Sequence, residues 1–142
     1  MKILTQTNNN LHSISILLLR LIIGIILFVA GAGKVMEWFG GMGLEATVNI
    51  FTSNMHIPAF LAYLSCFTEF IGGFLLITGL LTRPVAVAVF INMLVATIVM
   101  VPNGFLKGGA AYPLTLTIIS LVILLSGPMV YSLDAWIFRV KK

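Results

Sequence analysis

Four apolar runs, at residues 14–33, 58–79, 84–101 and 110–126, occupy most of the chain and leave little room between them. Each is close to the ~20 residues that carry a helix across ~30 Å of hydrocarbon. Helix is the form such runs must take in lipid, because backbone groups there have to pair within their own segment. The connections carry turn signals. Leu80-Leu81-Thr82-Arg83 is a tight link, and Pro84 opens the third run where its missing N–H costs nothing. Pro102-Asn103-Gly104 and Gly108-Gly109 separate the last two runs. Composition agrees: 60% of the 142 residues are apolar, 8% are charged and the mean hydropathy is +1.14. A soluble domain carries about three times that share of charge. The expected fold is therefore all-α, a single-domain four-helix membrane bundle over residues 1–142.

The longest connection, Lys34 to Ile57, has a pattern of its own. Leu44, Val48, Phe51 and Met55 recur at helical spacing among polar residues, which predicts a short amphipathic helix in the membrane interface. It would serve as a lid or a substrate gate, with Trp38 and Phe39 at headgroup level beside it. Ser132–Lys142 reads as a second interfacial helix, capped by Ser132, with Asp134 in its first turn and Trp136 as anchor.

The net charge of +4 sits mostly at the ends of the apolar runs, which suits membrane-edge anchoring rather than nucleic-acid binding. With both termini inside, Lys2, Arg83, Arg139, Lys141 and Lys142 face the cytoplasm, against Lys34 and Lys107 outside. That bias predicts N-in/C-in. A competing reading takes Leu21–Val29 as a signal-peptide core and Ala30-Gly31-Ala32 as a cleavage site. The apolar Ile14–Leu19 lengthen the run and favour a retained span, and the intact mass of the mature protein decides between them.

The polar residues inside the runs mark the candidate site. Counted from the inner end of each run at ~1.5 Å per residue, Arg20 lies about 9 Å deep, Glu69 about 15 Å and Asn92 about 12 Å. Thr117 and Ser120 fall in the same slab, at about 14 and 9 Å. Small residues share the faces of Arg20, Glu69 and Asn92, which points those faces at neighbouring helices. A lone carboxylate in lipid tends to protonate, so Glu69 needs a cation. Arg20 is the expected partner because Lys34 belongs at the outer edge, and Asn92 would take a remaining lone pair. Three readings stand: a static clasp that sets helix order, an Arg20 that snorkels to the inner headgroups, and a polar pocket for a small ligand or proton.

Other chemistry has little support. Cys66 is the one cysteine, so no disulfide forms within the chain. No Cys/His cluster has metal-ligand spacing, and no phosphate-binding loop, dinucleotide fingerprint or nucleophile elbow is present. Without a nucleophile–base pair or cofactor motif, catalysis by this chain alone is not expected.

The order of motifs resembles the DoxX family of small four-helix membrane proteins. The resemblance rests on Arg20-x3-Gly24 with Phe28, Gly31-x2-Lys34, and Glu69-x2-Gly72-Gly73-x5-Gly79-Leu80-x-Thr82-Arg83. It continues through Asn92-Met93-Leu94-Val95-Ala96, Pro102-Asn103-Gly104-Phe105, Gly108-Gly109, and Gly127-Pro128-x2-Tyr131-Ser132-Leu133-Asp134. It implies a multi-pass protein of the bacterial cytoplasmic membrane, and maps the family's span-one arginine to Arg20 and its span-two glutamate to Glu69. Some members of that family act as membrane subunits beside sulfur- or quinone-linked oxidoreductases, others support redox homeostasis or maturation of partner proteins, and most have no assigned activity. A redox partner protein, and a quinone as cofactor, follow as expectations. Two positions depart from the pattern: Met100 stands where many relatives have histidine, and Ala111 where many have glutamate.

Overall fold

The computed structural model describes residues 9–106 and 108–137. Six α-helices follow one another: α1 (Asn9–Met36), α2 (Leu44–Ser53), α3 (Ala59–Thr78), α4 (Thr82–Met100), α5 (Ala111–Ser126) and α6 (Leu133–Ile137). Among the described residues there is no strand. The amphipathic helix expected after Lys34 is α2, which packs on α3 and more lightly on α1. Lys2, Lys107, Arg139, Lys141 and Lys142, on which the charge bias partly rests, lie outside the described residues.

Local chemistry sets the helix ends. α3 stops at Gly79, whose left-handed backbone (φ 72°) returns its N–H to the Leu75 carbonyl. α5 stops at Gly127, also at positive φ. α4 begins at Thr82, two residues before the predicted run, because a carboxylate from far along the chain caps it. Asp134 accepts the Leu81 and Thr82 N–H groups at 2.7 Å each. Ser132 caps α6 as its sequence suggests, accepting the Ala135 N–H at 3.0 Å.

α1 and α3 run antiparallel with their backbones almost in contact. A methyl group on Gly31 would come within 2.3 Å of the Phe70 nitrogen, and one on Gly73 within 2.4 Å of the Phe28 nitrogen. Gly24 meets Gly73 and Ile77 in the same register. These small residues allow an approach that any side chain would block. Phe28 stacks on Phe70 beside the seam, with ring centroids 5.3 Å apart. α4 and α5 form a second antiparallel pair.

Ile23, Leu27, Leu76, Val85, Ala86, Val89, Met93, Leu116 and Ile123 make the shared core. The outer faces are the reverse of a soluble protein's. Ile22, Ile25, Phe60, Phe74, Ile91, Ile98, Ile118 and Leu125 are all exposed. Such a surface, on helices of this length and hydropathy, suits contact with lipid. α1, α3, and α4 with the turn that continues it to Asn103 give apolar stretches of 27, 20 and 22 residues, long enough to cross a membrane, whereas α5 has 16 residues.

Candidate functional site

The register of α1 against α3 decides which charges meet. Gly31 presses on the Glu69–Phe70 backbone, so Lys34, one turn further along α1, lies within reach of Glu69. Its ammonium donates to both carboxylate oxygens, at 2.7 Å to Oε1 and 2.6 Å to Oε2. The Glu69 side chain is 6% exposed and that of Lys34 28%, so the acid is buried and its partner reaches in from the helix end. The Lys34 Nζ also stands 5.7 Å from the centre of the Phe51 ring on α2.

The predicted Arg20–Glu69 pair does not form. Arg20 lies against Gly79, ten residues beyond Glu69 on α3 and therefore about 15 Å away along the axis. It donates to the carbonyls of Pro128, at 3.1 Å, and Tyr131. The depth count failed because Arg20, although mid-helix in α1, is level with Gly79 at the end of α3 and not with Glu69. The expectation that Lys34 stays at the outer edge fails for the complementary reason. Its backbone is near the helix end, but its four-carbon stem carries the charge inward.

α3 and α4 touch near their short connection, where Gly72 faces Val85 and Val89, and separate beyond it. The space between them is a cavity of about 820 Å³. Glu69 and Lys34 form its charged corner, and His56, Ser65, Thr68, Asn92 and Tyr112 supply further polar groups. The rest of the wall is apolar, including Leu27, Met93, Val99 and Met100. Leu61, Leu64, Ile91 and Val95 line the cavity and are themselves exposed, so it opens on the lipid-facing side.

Asn92 lines this cavity as its depth suggested, but it does not take a lone pair of Glu69. Its side-chain nitrogen is buried without a hydrogen-bond partner. Thr117 and Ser120 are buried on α5 and satisfied there. Thr117 Oγ1 donates to the Pro113 carbonyl and lies 3.4 Å from Thr97 Oγ1, and Ser120 Oγ donates to the Thr117 carbonyl. Neither lines the cavity. Of the five candidates, the structure thus brings Glu69 and Asn92 to one site and leaves Arg20, Thr117 and Ser120 elsewhere. Lys34, Phe51 and Tyr112 join the site without having been expected there. The Gly31-x2-Lys34 spacing was the available signal for Lys34, because it puts the lysine one turn from the contact glycine. Cys66 is buried one turn before Glu69 and does not line the cavity. Among the described residues no group of three or more His, Cys, Asp or Glu side chains is placed to hold a metal.

A bundle of apolar helices, with a charged pair at the base of a lipid-side cleft, defines a class: multi-pass helical membrane proteins with an intramembrane polar site. The DoxX family model matches residues 15–102, and the chain belongs to that family. A Bacillus subtilis (strain 168) protein named "Putative oxidoreductase CatD" is 35% identical over 134 residues, covering 94% of this chain and 95% of its own. No solved structure matches the chain. The family segments fall into two groups in space. Gly31, Lys34, Glu69 and Asn92 gather at the cleft, while Arg20, Gly79, Thr82 and Asp134 gather at the opposite end of the bundle.

Proposed function

We propose that this chain is a four-span, N-in/C-in subunit of a redox system in the bacterial cytoplasmic membrane, and that it holds a quinone-class ligand in the cleft between α3 and α4. The carrying observation is the buried Asn92 amide nitrogen with no partner, lining a largely apolar cavity beside the Lys34–Glu69 pair. A free buried donor favours a ligand acceptor such as a ring carbonyl. Apolar walls and an opening toward lipid suit a molecule that arrives by diffusion in the bilayer. The ring would lie between the Asn92 amide and the Lys34 ammonium, with its isoprenoid tail leaving past Leu64 and Ile91.

A quinone becomes a quinol by taking up two electrons and two protons. The chain has one cysteine and hence no dithiol of its own, so a second protein, an oxidoreductase partner, supplies the electrons. The name of the Bacillus subtilis relative is consistent with this redox setting. Conduction through the bundle has less support. Ile23, Leu76, Val85, Ala86 and Val89 lie between the cleft and the Arg20 end, and they offer no polar group to an ion or proton.

The test is equilibrium binding of a short-chain naphthoquinone to the protein in lipid nanodiscs. Asn92→Leu and Glu69→Gln should each weaken binding by about tenfold or more, one lost polar contact being worth roughly 1.4 kcal/mol or more. Ser120→Ala should leave it unchanged. Absence of binding, or equal affinity in all four proteins, defeats the proposal.

A further inference from the structure

A second cavity, of about 390 Å³, lies on the other side of Lys34. The last turns of α1, the 38–42 loop and α2 enclose it, with Gly33, Trp38, Gly41 and Thr47 in its wall. The loop is held close because Gly41 packs directly on the Gly33 carbonyl, and the Gly43 N–H donates to that carbonyl at 3.3 Å. Ala30, Lys34 and Phe51 line both this cavity and the lipid-side cleft. The two spaces are therefore divided by Ala30, Lys34 and Phe51. Their openings differ. The cleft is rimmed by exposed aliphatic residues of α3 and α4, whereas the second cavity is bordered by the exposed loop residues Trp38, Phe39, Gly40 and Met42, where the chain leaves the bundle. An acidic side chain stands next to it: Glu37 lies against Gly43, at the N-terminus of α2.

We infer that this second cavity is a water-side vestibule through which the Lys34–Glu69 pair exchanges protons with the aqueous phase at the α2 end, with Lys34 and Phe51 as the partition. The ion pair is then approached from two phases, by a lipid-soluble ligand through the cleft and by water through the vestibule. A partly exposed lysine bound to a buried carboxylate fits that position, since Lys34 lines the vestibule and its ammonium meets the acid. The titratable groups around the pair are Glu37 at the loop, His56 and Tyr112 on the cleft side, and Cys66 on α3. In the quinone reading the vestibule would supply protons to the reduced ring. The inference builds on that reading for its purpose, but not for its geometry.

Two measurements test it in nanodiscs, in a Cys66→Ala background that leaves no native thiol. First, Ile50→Cys in the vestibule wall and Leu64→Cys on the cleft rim are treated with a charged, lipid-excluded methanethiosulfonate. Ile50→Cys should react at least about tenfold faster, because only water brings the reagent to it. Equal rates, or a faster Leu64→Cys, overturn the inference. Second, Ile50→Trp fills the vestibule, and hydrogen exchange at the Lys34 ammonium is followed by NMR. Exchange should slow about tenfold or more while naphthoquinone affinity is kept, and unchanged exchange overturns the inference. If the reactivity difference and the slowed exchange are both seen but the unmodified protein binds no naphthoquinone, the vestibule stands and the quinone reading falls.

Discussion

Lys34 and Glu69 are bound to each other in a place where neither is comfortable alone. Removing one member of such a pair leaves a charge, or a proton uptake, that the apolar surroundings penalise by about 3 kcal/mol, somewhat less here because Lys34 is partly exposed. Lys34→Met should therefore lower thermal stability in detergent clearly. The double variant Lys34→Met/Glu69→Gln should recover most of the loss, because it removes both charges together. A double variant no more stable than the single one would mean the pair is not the source of the effect. The sequence showed that Glu69 needs a cation but not which one. Depth counted along separate runs has a different origin in each helix, and only the α1–α3 register supplies a common one. Asn92 lines the same cavity as Glu69 but does not take the carboxylate's lone pair. Arg20 was misplaced because the α1–α3 register sets it level with Gly79 and not with Glu69.

At the scale of the helix, neighbouring glycines on α3 have different duties. Gly73 abuts the Phe28 backbone, which cannot yield, whereas Gly72 faces the Val85 and Val89 side chains at an ordinary 3.5 Å. Gly73→Ala should force α1 from α3 and cost about 3 kcal/mol. Gly72→Ala should stay within about 1 kcal/mol of the parent, since alanine favours the helix and the added methyl fits. Melting followed by fluorescence-detected gel filtration would rank the two, and equal losses would contradict the seam described here. The helices themselves were legible, because long apolar runs and Gly or Pro boundaries act locally. The Asp134 cap on α4 was not, because it joins residues 52 and 53 apart in sequence. Its carboxylate was expected to serve only its own helix. Asp134→Ala should cost about 2 kcal/mol by leaving two N–H groups without their acceptor, and Asp134→Asn should recover part of that. Amide exchange at Leu81 and Thr82 would report the loss directly.

Among the described residues α1, α3, α4 and α5 run up and down, with the cleft and its charged pair at one end and a fastening end at the other. At the α2 end the cleft and its charged pair are surrounded by the longest connections. At the other end Arg20 holds the Pro128 and Tyr131 carbonyls while Asp134 holds the start of α4, so the chain after α5 is tied to both α1 and α4. This geometry bears on the shortest long helix. α5 would extend only about 24 Å on its own. Its start is tied to the connection after α4, where the Ala111 N–H donates to the Phe105 carbonyl, and its finish at Gly127 lies against the Arg83 guanidinium near the start of α4. It therefore covers nearly the same thickness as α4, with the buried Gly109, Ala110 and Gly127 extending it at the two ends. The arrangement predicts that alkaline phosphatase, active only after export, is active when fused after Gly40 or Gly104 and inactive when fused after Leu81 or Met129. Arg83 at the second pair of sites fits the cytoplasmic side. Activity at both Gly104 and Met129 would mean that α5 re-enters on the same face instead of crossing. The cleft would then be open to a different set of partners from those proposed.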